Sequence, residues 1–218
     1  MDADVGRISP EDYREHSRRN FLKTAAAVTA ALAAAGFGGV QFATREAEAQ
    51  AGDEYTTYLG VGDAAILQLA YQLEILEGTF YAVGRDSGLF QGPALAQIAE
   101  LSAHEFAHAD VIAGALGALG AQVPQPALTL PPTPDAATFL GLANTLEPVG
   151  IGAYQGAAPA IQDKSLLPTA LSIHNAECQH WNAIKILSGI VPPNNVALEQ
   201  ALPLGAVITA GAPFGIVA

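Results

Sequence analysis

SAHEFAHAD, residues Ser102–Asp110, and HNAECQHW, residues His174–Trp181, decide how this chain is read. Each holds a glutamate and a histidine three residues apart, Glu105 with His108 and Glu177 with His180. Three residues is nearly one turn of α-helix, so each pair shares a helix face and can approach one cation from the same side. A single Glu-x-x-His is a weak pattern, and its weight comes from what stands upstream. There a further glutamate is followed by a tyrosine seven residues on: Glu74 by Tyr81, and Glu147 by Tyr154. The intervals, 31 residues from Glu74 to Glu105 and 30 from Glu147 to Glu177, point to two related helical hairpins.

The surrounding sequence supplies four helices for these residues. From Asp63 to about Gly84 apolar residues recur at helical spacing, with Ile66, Leu69, Ala70, Leu73, Leu76, Phe80 and Val83 on one stripe. After the turn Arg85-Asp86-Ser87-Gly88, a second helix runs from about Gly92 to Leu119, with Pro93 suited to an early position. Gly120 to Pro132 holds four prolines and reads as an extended crossover. A helix of about 27 residues is roughly 40 Å long and about 15 extended residues span roughly 50 Å, so the crossover can return along the whole bundle. The third helix starts at Thr133-Pro134-Asp135, with Thr133 as cap and Pro134 in the first position, and runs to about Ala158. Pro148 predicts a kink or local bulge within it. A fourth helix covers about Ser165 to Leu187. From Ser188 onward Glu199 is the one charge and four prolines recur, so neither a helix nor a membrane span fits, and a tail wrapped over the bundle is expected.

The fold expected is therefore all-α: a four-helix bundle with one long crossover between helices two and three and an irregular C-terminal tail. Residues 50–190 form the bundle and 191–218 the tail. Of the eight glutamates after Gln50, four (Glu74, Glu105, Glu147 and Glu177) fall on inward positions, and the four histidines all lie on helices two and four. These carboxylates sit among apolar neighbours, where uncompensated charge is expensive. A pair of divalent cations would neutralise four of them, with Glu74, Glu105, His108, Glu147, Glu177 and His180 as the ligands. Glu77, one turn beyond Glu74, is the rival for the inward place on the first helix, and the Tyr81 interval favours Glu74. His104 and His174 do not repeat each other's offset from the Glu-x-x-His pairs, so each is expected in a hydrogen-bonding or surface role. Tyr81 and Tyr154 are read as packing residues whose hydroxyls bond the ligand carboxylates. Cys178 is read as a buried inert thiol, and Trp181 and Phe106 as core or interface residues.

Two glutamates and two Glu-x-x-His pairs on four helices resemble the ferritin-like carboxylate proteins. More narrowly, LEILEGTFY at Leu73–Tyr81, HEFAHAD at His104–Asp110 and LEPVGIGAYQGAA at Leu146–Ala158 resemble the ferritin-like domain family that includes desiccation-related proteins, over about Thr57 to Ile190. That resemblance implies two metal ions, iron or manganese. Glu105 and Glu177 would bridge them, Glu74 and Glu147 would be terminal, and His108 and His180 would each cap one. It also implies oxygen or peroxide as reactant, with ferroxidase, peroxidase or manganese-catalase-like chemistry, or else a structural, desiccation-protective bundle without catalysis.

The first 49 residues read as an address. Ser17–Lys23, SRRNFLK, followed by the uncharged Ala- and Gly-rich run Thr24–Val40, is a twin-arginine export signal. Ala47-Glu48-Ala49 offers a cleavage site, and 17 apolar residues lie at the short edge of spanning length, so cleavage is expected rather than a retained anchor helix. The destination is the periplasm or the cell exterior. After Gln50 the basic residues are Arg85, Lys164 and Lys185 against fourteen acidic ones, which excludes nucleic acid as a natural partner. The single cysteine excludes an internal disulfide and any Cys-x-x-Cys metal site. The sequence is compatible with a homo-oligomer and does not fix its state.

Overall fold

A computed structural model describes residues 62–216; the export signal and its expected cleavage site lie outside the described residues. Five α-helices, and no strand, occur among the described residues: α1 Asp63–Asp86, α2 Gly92–Ala118, α3 Ala136–Ala157, α4 Leu167–Leu187 and α5 Leu204–Gly211. The first four follow the periodicity of the sequence. α1 packs chiefly on α2 and α3 on α4, and the two hairpins meet through α1 against α3 and α2 against α4. No helix among the described residues is long and apolar enough to cross a membrane.

On α1 the inward stripe is Ile66, Leu69, Leu73, Leu76 and Phe80, all buried. Val83, expected to extend it, is 47% exposed. Its place is taken by Gly84, because the Phe139 ring of α3 occupies that space: a Cβ on Gly84 would stand 2.3 Å from Phe139 Cζ. Phe139 in turn stacks on Phe80 with centroids 4.2 Å apart, an offset aromatic contact that adds to the apolar burial. Backbones also approach closely between α1 and α2, where the Ser102 hydroxyl donates to the Gly78 carbonyl at 3.0 Å.

The crossover after α2 is extended, as its prolines dictate, and is tied down at both ends of its course. Gln68 Nε2 donates to the Gln122 carbonyl at 2.8 Å, and Thr129 N donates to the Phe214 carbonyl at 2.9 Å. α3 begins two residues later than a Thr133 cap would require. Asp135 is the N-cap, in extended conformation, and its carboxylate accepts from Thr138 N at 2.7 Å. A full negative charge satisfies the positive helix end better than a threonine hydroxyl. α3 then runs through Pro148 as one continuous α-helix. Between α3 and α4, the Asp63 carboxylate accepts from Gln162 N at 2.7 Å and Asp163 N at 2.8 Å, clamping that loop to the start of α1.

The tail corrects the sequence reading. It contains α5, followed by a 3-10 turn over Ala212–Phe214. Its prolines bracket the helix rather than interrupt it: Pro203 is the N-cap and Pro213 opens the 3-10 turn. Leu204, Val207 and Ile216 are fully buried and join the main core. Leu202 N bonds the Gly152 carbonyl of α3 at 2.9 Å. The tail thus lies on α3 and closes against the crossover.

Candidate metal centre

The four long helices bring all six candidate side chains to one place in the bundle interior. Glu105, Glu147 and Glu177 are fully buried, Glu74 and His180 nearly so, and His108 is 14% exposed at its side chain. His108 Nδ1 faces three carboxylate oxygens at once: Glu177 Oε1 at 3.0 Å, Glu74 Oε2 at 3.1 Å and Glu105 Oε2 at 3.1 Å. His180 Nδ1 lies 2.8 Å from Glu105 Oε1 and 3.6 Å from Glu177 Oε2. A single ring nitrogen can donate along one line only. Three oxygens gathered around it is the arrangement of donor atoms that converge on a common point.

Two sets of ligand-type atoms result, each within 4.8 Å of one another: Glu74, Glu105, His108 and Glu177 in one, Glu105, Glu147 and His180 in the other. Glu105 belongs to both, and Glu177 turns one oxygen towards each histidine. Several of these atoms are buried with no hydrogen-bond partner: Glu105 Oε1, Glu147 Oε2, both Glu177 oxygens and His180 Nδ1. The 2.8 Å approach of His180 Nδ1 to Glu105 Oε1 is close in distance but lies off hydrogen-bond alignment.

The tyrosines cross between the hairpins. Tyr81 of α1 donates its hydroxyl to Glu147 Oε1 of α3, and Tyr154 of α3 donates to Glu74 Oε1 of α1. Each tyrosine thus packs in the interior with one bond to a carboxylate of the cluster, as expected, but each serves the glutamate of the other helix. Burial and the adjacent carboxylates push both phenols well above their ordinary value, so they remain O–H donors.

The electrostatics of the cluster's own side chains are correspondingly tense. Burial first, then the charges of neighbouring glutamates, pushes Glu74 and Glu147 well above the usual carboxylate range. Burial would raise Glu105 as well, but the His108 and His180 imidazoles outweigh it and hold that group at about 2. Burial disfavours charge on both histidines, yet the carboxylates around them dominate and push His108 up to about 12 and His180 to about 10.

Other residues sort as follows. His104 Nδ1 lies 3.1 Å from His180 Nε2, so it backs the second ring nitrogen of a candidate ligand. His174 belongs to neither donor set; burial lowers its basicity and its Nε2 has no hydrogen-bond partner. Burial pushes the half-buried Cys178 thiol up to about 11, consistent with an inert group. Trp181 carries Lys185 Nζ 3.4 Å from its ring centroid. The residue that the sequence underrates is Glu77. Glu74 does face inward, but Glu77 is buried beside it, 3% exposed, rather than left outside. The signal available was its spacing of three from Glu74, the interval that the two Glu-x-x-His pairs also use.

Next to the cluster, a cavity of about 270 Å³ opens among the helices, lined almost wholly by apolar groups including Ile66, Leu73, Ala115, Ala170 and Ile173. Tyr154 forms part of its wall.

Comparison with known proteins bears on both ends of the chain. The family model described as the ferritin-like domain matches residues 62–189, which hold all four long helices and every candidate ligand. The model of the TAT (twin-arginine translocation) pathway signal sequence matches residues 15–35, across the SRRNFLK stretch. No curated protein matches the chain.

Proposed function

This chain belongs to the ferritin-like domain family and is an exported protein, and from that footing we propose that its bundle holds two divalent ions, iron or manganese, for oxidising ferrous iron or removing peroxide in stress protection. Glu74, Glu105, His108 and Glu177 would hold one ion, and Glu105, Glu147 and His180 the other. The observation that carries this reading is the set of buried ligand atoms on Glu105, Glu147, Glu177 and His180 that make no hydrogen bond. Leaving a buried polar group unsatisfied costs roughly 1–3 kcal/mol, and more for a charged one. Two cations would satisfy all of them together.

When bound, such a pair supplies the one-electron steps that oxygen or peroxide chemistry needs. The side chains do the rest. Tyr81 and Tyr154 each engage one oxygen of a glutamate and leave the other for the centre: Glu147 Oε2 has no hydrogen bond, and Glu74 Oε2 faces His108. This fixes the carboxylate planes. His104 fixes the ring of His180 in the same way. The apolar cavity suits dioxygen, which partitions into apolar space, and its Tyr154 wall is bonded directly to Glu74.

A second reading, a protective bundle without catalysis, draws on the same contacts, since the crossed tyrosines and the His–Glu pairs tie all four helices together. Elemental analysis of protein purified without added metal separates the two. About two iron or manganese ions per chain is the result expected for a site of this type, followed by turnover of ferrous iron or peroxide. Protein that carries no metal and takes none up supports the protective bundle instead.

A further inference from the structure

Protein interiors are close-packed, and a void larger than a water molecule forfeits contacts along all its walls. The cavity beside the cluster measures about 270 Å³. Its origin is legible in the residues that line it. Every long helix puts alanine on the wall: Ala70 of α1, Ala115 of α2, Ala153 and Ala157 of α3, and Ala170 of α4. A larger aliphatic side chain at any of these positions would take up part of the space, so all four helices contribute to keeping it.

That space is more than dioxygen requires. An apolar cavity of about 150 Å³ already admits benzene, and pockets for small organic ligands begin at roughly 300 Å³. Among the described residues the lining holds no charged side chain, and Thr169 and Tyr154 are its polar members. An ion would lose its hydration there without replacement. The cavity reaches the surface between α2 and α4, where two lining residues, Val111 at 51% and Thr169, are exposed. Its inner wall includes Leu73 and Tyr154, and the Tyr154 hydroxyl donates to Glu74, the residue next to Leu73.

We propose that this cavity is a binding site for a small uncharged organic molecule of hydrocarbon character, an alkyl chain or a single aromatic ring, that enters between α2 and α4 and rests against Tyr154. The proposal stands on the cavity and not on the two-ion reading, since no member of either donor set lines it. A molecule held there is one side chain away from Glu74.

Titration calorimetry of the purified protein tests this, with straight-chain alcohols from butanol to decanol in one arm and alkylbenzenes from toluene to butylbenzene in the other. The expected result is one molecule per chain, bound about fourfold more tightly with each added CH₂ until the cavity is full, and no more tightly beyond that. Saturable binding in either arm supports the site, and the tighter series identifies the shape it accepts. Absence of binding in both arms would overturn the proposal. So would affinity that climbs with chain length without levelling and without fixed stoichiometry, which marks adsorption to the surface. Ala170→Leu places a branched side chain in the cavity and should weaken binding about tenfold or more, with helicity retained by circular dichroism. Ala96→Leu, on an exposed position of α2 outside the lining, should leave binding unchanged. Should Ala170→Leu fail to fold, Ala115→Leu makes the same test from α2. Wild-type affinity in a folded cavity-filling variant would refute the assignment.

Discussion

The α1–α2 and α3–α4 hairpins carry the same parts at nearly the same intervals, yet they do not build equivalent halves. Each supplies one glutamate, one Glu-x-x-His and one tyrosine. His108, however, faces three carboxylates at 3.0–3.1 Å, while His180 faces one closely and is backed by His104. Glu77 on one side answers to Gly150 on the other. A repeated sequence pattern thus sets which groups converge, and the departures from the repeat set how each half treats what it holds. Gly150 on α3 leaves room for the Glu77 carboxylate of α1, whose oxygens lie 3.3 Å from where a Cβ would stand, so the departure from the repeat involves both hairpins.

The strongest way to test the comparison is to remove both imidazoles. Replacing His108 and His180 together by Ala should reduce metal content by at least one ion per chain while the helical signal persists; unchanged metal content, measured by elemental analysis, would refute the ligand assignment. Loading the metal-free wild type should also expel protons near neutral pH. His108 and His180 are both held protonated there, at about 12 and about 10, and a metal takes the neutral ring. Apparent affinity should therefore rise with pH from neutrality towards about 10. Calorimetry in buffers of different ionisation enthalpy reads the proton count, and a count of zero contradicts the charge state described.

The crossed tyrosines give a smaller and more discriminating effect. Tyr81→Phe should destabilise the metal-free protein by about 1–2 kcal/mol, since Glu147 Oε1 loses its donor in a fully buried place. Tyr154→Phe should cost about 0.5–1 kcal/mol, because Glu74 keeps its contact with His108. Denaturant melts measure both, and equal losses would argue that the halves are equivalent after all. The mildest change is His104→Ala, expected to weaken the His180 ion about tenfold by freeing its ring while leaving the His108 ion alone; a chelator competition that shows both ions equally affected would break the distinction.

Much of the site was legible from one-dimensional spacing. Glu105 with His108, Glu177 with His180, and the glutamates some thirty residues upstream could be placed on inward faces because helical geometry converts an interval of three or seven directly into a shared face. The extended crossover followed as directly, since proline removes the donors a helix requires. Val83 and the tail were misjudged for the opposite reason. Whether Val83 or Gly84 faces inward depends on Phe139, a residue of another helix. A segment as short as Leu204–Gly211 becomes a helix when its apolar face finds α3 and the core to cover it, since short helices gain most of their stability from packing.

The sequence by itself therefore determined the four long helices, the crossover, the export signal and the identity of six converging side chains, because each depends on local spacing or composition. Tertiary structure decided that each tyrosine serves the opposite helix and that Glu77 is buried beside Glu74. Those facts depend on the distance between helices and on the space a neighbour leaves, and no interval along one chain encodes either.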